Sequence, residues 1–124
     1  MSLLRRAKRG LPFDGAGEKI PYTELLVVTA TCSTLGEARR VNALFISALN
    51  GYAYGTLDGI GDSAALADAS DTPEYPASRT FLLAVRVGRR VASLGIEAPS
   101  GVKAVNRALM VSLARRVAAN LSTG

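Results

Sequence analysis

Residues 102–121 read VKAVNRALMVSLARRVAANL, and this stretch organises the expected fold. At 100° per residue, its larger apolar side chains fall on one side of a helix and its basic side chains on the other. The apolar side carries Val102, Val105, Leu109, Met110, Leu113 and Val117. The basic side carries Lys103, Arg107 and Arg115. Alanine is frequent, proline is absent and Ser100 is a suitable N-cap, so the pattern predicts one amphipathic helix.

A strand followed at once by a helix is predicted nearer the N-terminus. Residues 24–32 read ELLVVTATC, a continuous apolar run that is typical of a strand buried on both faces. Thr34 and Glu37 have the spacing of a capping box, in which the Thr hydroxyl accepts from the amide of Glu37 while the carboxylate reaches back. Apolar residues then recur at helical spacing up to Asn50 and Gly51, so a helix is expected over residues 34–50.

The remaining segments predict more strands around an acidic insert. Residues 80–87 read TFLLAVRV and predict a strand, whereas residues 89–98 fit either a hairpin strand, which we favour, or a short helix. The insert, residues 52–78, holds five acidic residues and no basic one. Because a loop of that length is rare in a compact domain, we expect an edge strand over residues 52–57 and a short helix over residues 63–69.

These elements indicate an α+β fold with a small mixed or antiparallel sheet covered by two amphipathic helices. With 124 residues, the chain fits one domain. We expect a basic N-terminal arm over residues 1–10, followed by a single α+β domain over residues 11–124 that carries the acidic insert.

Composition excludes several classes of function. The chain has no His, which is the commonest general base near neutral pH and the commonest metal ligand. Its Asp and Gly residues complete neither a calcium loop nor a nucleotide-binding motif. We therefore expect no catalytic residue, metal, cofactor or small-molecule substrate, and we expect the lone Cys32 to act as a small buried hydrophobe.

The apolar residues indicate neither a membrane span nor an export signal. No run approaches the roughly 20 apolar residues that cross a bilayer. The basic N-terminus lacks the roughly 7 to 15 apolar residues of a secretion signal. We expect a soluble protein without membrane contact that stays in the cytoplasm or inside a virus-like particle and is not secreted.

Basic residues are concentrated at the two ends of the chain. Residues 1–10 contain four of them and no acidic residue, and the segment is either a solvated tail or an arm that binds phosphate. The last helix adds a basic face. We expect nucleic acid to be bound with weak sequence preference by Arg5, Arg6, Lys8, Arg9, Lys103, Arg107 and Arg115.

Two residues of the last helix break its division into faces. Arg116 falls toward the apolar side, and Val111 lies inside the basic face. Both positions indicate contact with a neighbouring chain, and the mean hydropathy of +0.20 is high for so short a chain. We therefore predict a homo-oligomer whose interface includes Val111 and Arg116.

Three functions follow from these features. The first is a non-enzymatic, self-assembling structural protein of a viral or phage shell or of a nucleoid, which contacts nucleic acid through its basic arm and basic C-terminal helix. The second is a DNA-binding regulator, because residues 91–107 resemble a helix-turn-helix, although Gly95 comes one residue early and Pro99 adds bulk. The third is a small enzyme that uses Asp, Glu or Tyr in place of His, and a protein-binding module stays a further alternative.

Overall fold

The computed structural model of this chain describes the backbone of residues 2–7, 11–13 and 18–20, and backbone and side chains over residues 24–123. Its strands are β1 (Ser2–Ala7), β2 (Leu11–Phe13), β3 (Glu18–Ile20), β4 (Glu24–Thr31), β5 (Ala53–Thr56), β6 (Ser63–Asp68), β7 (Ser78–Val87) and β8 (Arg90–Pro99). Its helices are α1 (Leu35–Ser47) and α2 (Arg107–Thr123).

Six of these strands form one antiparallel sheet in the order β1-β4-β8-β7-β6-β5. Strands β2 and β3 pair with each other, also antiparallel. The longest hairpin joins β7 to β8 and places Leu83 opposite Leu94. The α+β class and an antiparallel sheet are thereby confirmed.

The main hydrophobic core lies between α2 and one face of the sheet. Leu83 and Leu94 belong to that face, and Leu109, Met110 and Leu113 of α2 are buried against it. Burying a side chain of this size stabilises the fold by about 1.5 to 3 kcal/mol. The helix periodicity in the sequence therefore identified the correct core residues on α2.

Helix α1 packs on the opposite face of the sheet, where the buried residues are small. Ala65 and Ala84 lie beneath Leu49, which follows the helix, and alanine side chains let a helix approach closely. The N-cap is as predicted, because Oγ1 of Thr34 accepts from the amide of Glu37 at 3.0 Å. The Glu37 carboxylate accepts from the amide of Ser33 at 3.5 Å, one residue earlier than a standard capping box.

The acidic insert is part of the sheet. The edge strand expected over residues 52–57 is confirmed as β5, but the helix expected over residues 63–69 is wrong, because residues 63–68 form β6. Residues 64–67 are all buried, with Leu66 in the core under α2 and Ala65 on the α1 side. Packing on both faces outweighs the high helix propensity of alanine here.

Two further expectations about strands are settled by the sheet. Residues 90–99 form strand β8, so the segment that would supply the first helix of a helix-turn-helix is not helical. Strand β4 was expected to be buried on both faces, but its residues 24–30 are only half-buried. The two helices pack chiefly against β7 and β8, which explains why β4 keeps contact with solvent.

Candidate nucleic-acid interface

Helix α2 begins later than the sequence pattern predicted. Its N-cap is Asn106, whose Oδ1 accepts from the amide of Leu109 at 3.0 Å and whose Nδ2 donates to the carbonyl of Lys103 at 2.9 Å. The expected start near residue 102, with Ser100 as N-cap, is therefore wrong. Lys103 lies in the turn before α2 rather than on the helix, and it is exposed.

The outer surface of α2 is cationic. Arg107, Arg115 and Arg116 are all exposed. No acidic residue occurs between residue 98 and the end of the chain, so these charges have no acidic neighbour on the helix itself. Exposed arginines on one surface attract polyanions and form bidentate contacts with phosphate.

A third cation joins Lys103 and Arg107 at the start of α2. The half-buried Arg79, in β7, donates from Nε to the carbonyl of Val105, which lies in the same turn. The N-terminus of a helix carries partial positive charge, which adds to that of these side chains. Sequence reasoning missed Arg79, because a contact between residues 26 positions apart leaves no local signal.

One acidic residue lies beside this group. Asp68, at the end of β6, lines the same surface hollow as Arg107 and Phe81. The Asp68 carboxylate also accepts from the amide of Ser70 at 2.9 Å and so shapes the turn that leaves β6. The cationic surface therefore has an acidic boundary on the side of β6.

The basic arm is described only in part. The backbone register places Arg5 opposite Val27 and Arg6 opposite Leu26, so both belong to the edge strand β1. Lys8 and Arg9 lie outside the described residues. Residues 2–7 pair with β4, so this part of the expected basic arm over residues 1–10 belongs to the sheet.

The two residues expected at an oligomer interface occupy different environments. Val111 is half-buried and packs against the main core of its own chain. Arg116 was expected to lie toward the apolar side, but it is exposed next to Arg115. Both differences follow from the helix orientation, because the buried Leu109, Met110 and Leu113 turn that side of α2 to the sheet.

Two further acidic residues of the insert, Asp62 and Asp71, have structural partners within the chain. Asp62 accepts from the amide of Gly88 at 2.7 Å and lies 3.7 Å from the guanidinium of Arg86. Asp71 accepts from the amide of Ser78 at 3.1 Å. Within residues 24–123, no three metal-ligating side chains come together. These carboxylates shape turns at the ends of β6 and β7.

A second surface of interest lies on the α1 side of the sheet. Leu26, Leu82 and Gly95 form the floor of a shallow depression, with Tyr75 and Glu97 at its rim; we call these five residues the apolar trough. All five are half-buried. The pKa of the Tyr75 hydroxyl is raised, chiefly by burial and also by neighbouring groups that include Tyr52 and Glu97. The carboxylate of Glu97 makes this part of the rim acidic.

No protein-family model, curated protein or solved structure matches this chain. Across the part of the chain that is described, neither helix has the length and apolar character needed to cross a membrane.

Proposed function

We propose that this chain is a non-enzymatic, self-assembling structural protein, of the kind that forms a viral shell or packages a nucleoid, and that it contacts nucleic acid. The observation that carries the proposal is the cationic outer surface of α2, where Arg107, Arg115 and Arg116 are exposed on a helix without acidic residues. Lys103 and Arg79 extend this surface around the start of the helix.

The charge layout favours phosphate contacts over base readout. The arginines are spread along the exposed side of a helix whose other side is buried in the core. Phosphate contacts position a protein on nucleic acid without reading its sequence. We therefore assign weak sequence preference to this surface, with Arg5 and Arg6 of the edge strand β1 as further contacts. Lys8 and Arg9, which lie outside the described residues, are proposed as contacts from the sequence alone.

Self-assembly is supported by the incomplete burial of the sheet. Strand β4 is half-buried along residues 24–30, and Leu44 of α1 exposes 68% of its surface. Copies that pack together would complete the cover that two helices give to one sheet. In such an assembly, Arg116 belongs to the cationic surface, and the protein works inside a virus-like particle or in the cytoplasm.

The test for nucleic-acid binding is the salt dependence of affinity in charge-neutralised variants. Truncating the arm is unsuitable, because it removes β1 from the sheet. The triple variant Arg107→Gln, Arg115→Gln and Arg116→Gln keeps the helix and should reduce the slope of log K against log salt on duplex DNA by roughly 2.7. The exposed Arg39 of α1 supplies the control, since Arg39→Gln lies on the other side of the sheet.

The same measurement applies to the arm, with Gln in place of Arg5, Arg6, Lys8 and Arg9. Each lost contact reduces the slope by about 0.9 on duplex DNA or about 0.7 on a single strand. The loss should be the same for unrelated sequences. Slopes equal to wild type in both sets of variants would contradict the nucleic-acid interface. Light scattering of the purified protein, with ultraviolet absorbance of nucleotide bases recorded alongside, tests for a large particle that carries nucleic acid.

A further inference from the structure

We infer that the apolar trough receives helix α1 of a second copy of this chain, so that two subunits pack with their α1 sides facing each other. The interface presupposes the self-assembly proposed above and specifies its contact surface. Its central contact is the exposed Leu44 of each subunit, which lies on the floor formed by Leu26, Leu82 and Gly95 of the other.

The position of Leu44 on α1 supports this contact. Asn42 donates from Nδ2 to Oγ of Ser63 at 3.1 Å, which turns that side of α1 toward β6. Val41 packs with Ala30 on the opposite side, toward β4. At about 100° per residue, Leu44 lies roughly 60° from Val41 and roughly 160° from Asn42. It therefore lies on the flank of α1 that borders the trough.

The floor of the trough is shaped by a glycine. Gly95 of β8 has no side chain, and a Cβ atom there would lie 3.2 Å from Cδ2 of Leu82. The strand on its other side, β4, contributes the half-buried Leu26, opposite Gly95 in the register. Because Gly95 has no side chain, a leucine side chain that approaches the sheet can contact both Leu26 and Leu82.

Charge selects the occupant. The rim of the trough is acidic at one end, because Glu97 and Glu24, which are opposite each other in β8 and β4, both line it. Helix α1 exposes Arg40, which lies one turn from Leu44 on the outer side of the helix. The chain itself thus presents an apolar side chain beside a cation, which complements an apolar floor with acidic residues at its rim.

A two-fold symmetric dimer is possible, because the trough and helix α1 belong to the same surface of each subunit. An isologous interface requires a patch that contains both complementary parts. Leu82 of the trough packs in one hydrophobic cluster with Phe45 and Ile46 of α1, so the trough and α1 lie beside each other on the same face of the sheet. Each subunit can therefore give its helix to the other and receive one in return.

The experiment is sedimentation of purified full-length variants at micromolar concentration. Leu44→Glu should raise the dissociation constant of the subunits by roughly thirtyfold or more, which is the effect of losing a central apolar anchor. Ala108→Glu is the matched control, because Ala108 is also exposed but lies on α2, across the sheet. Arg40→Glu should weaken association as well, and adding Glu97→Arg should restore it by reversing both charges.

The outcomes separate this interface from the broader proposal. A Leu44→Glu protein that keeps the wild-type mass overturns the trough as the interface and leaves self-assembly by another surface in place. A monomeric wild type overturns both. If the protein is a monomer and Leu44→Glu lowers its free energy of unfolding, then Leu44 contacts residues of its own chain. That result also overturns the interface. The salt slopes of the α2 variants test a different surface, on the other side of the sheet.

Discussion

Arg90 of β8 donates from Nη1 to the carbonyl oxygen of Leu121 at 3.0 Å, which ties the last turn of α2 to the sheet. The last turn of α2 contains no basic residue of its own. The guanidinium therefore supplies the positive charge that stabilises a helix C-terminus and satisfies one of its unpaired carbonyls. The cation belongs to the sheet rather than to the helix, so the end of α2 depends on tertiary structure.

Arg90→Ala should lower the free energy of unfolding by about 1 kcal/mol, because it removes this hydrogen bond and the charge at the helix end. Urea denaturation followed by circular dichroism measures the change. Arg116→Ala is the control, since Arg116 is exposed on the same helix, and it should change the free energy by less than about 0.5 kcal/mol. Equal effects of the two substitutions would show that Arg90 does not act as a cap.

Two glycines of the β5–β6 loop form a matched pair for a second prediction. Gly59 and Gly61 both have positive φ, at 76° and 58°. A Cβ atom on Gly61 would lie 2.7 Å from the backbone oxygen of Arg86, whereas one on Gly59 meets nothing within 4 Å. Gly59→Ala should therefore cost only the backbone strain of about 1 to 2 kcal/mol.

Gly61→Ala should cost clearly more than Gly59→Ala, because the loop must move away from β7 in addition to the strain. The move also disturbs the hydrogen bond at 2.8 Å from the amide of Asp62 to the carbonyl of Arg86. Chemical denaturation of both variants measures the difference. Similar free energies of unfolding for the two variants would contradict the close approach of the loop to β7.

Cys32 should be unreactive in the folded protein. Burial raises the pKa of its thiol, and the nearby Glu37 carboxylate raises it further. A raised pKa lowers the fraction of thiolate, the nucleophilic form, at every pH. Alkylation near pH 8 should be slow in the native protein and fast in denaturant. Equal rates in the two conditions would mean that Cys32 is accessible.

The same shift has a consequence for stability. Because the folded state holds the proton more tightly than the unfolded state, its contribution to stability is complete below the ordinary thiol pKa of 9.0. It is lost as the pH rises through the higher folded pKa. Unfolding in urea should therefore become easier in that alkaline range, and Cys32→Ala should reduce this pH dependence.

The sequence predicted the elements whose signals are local and missed those set by packing. Thr34 and Glu37 mark the start of α1 through a cap that involves neighbouring residues. The start of α2 was placed too early, because Val105 continues the apolar periodicity although it lies in a turn and is buried in the core. Periodicity identifies which side chains are buried. It does not distinguish a helix from a turn that buries a side chain on the same side.

The candidate site was predictable to the extent that it depends on charge. Arg107 and Arg115 are exposed, as their positions in the helical pattern indicated. Arg79 and Arg90 could not be assigned, because their partners are the carbonyls of Val105 and Leu121, 26 and 31 residues away. Such contacts are determined by how α2 lies on the sheet.

Val111 provides the last prediction, because its position separates folding from assembly. It is half-buried against the main core, so Val111→Glu places a carboxylate there and should cost several kcal/mol through desolvation. The expected result is a less stable fold, measured as a lower denaturation midpoint even at protein concentrations too low for association. Ala108→Glu, on the exposed side of α2, should be nearly silent. A Val111→Glu protein that keeps the wild-type free energy of unfolding but has a smaller mass would instead place Val111 at a contact between subunits, because only an intermolecular cost leaves the isolated chain unaffected.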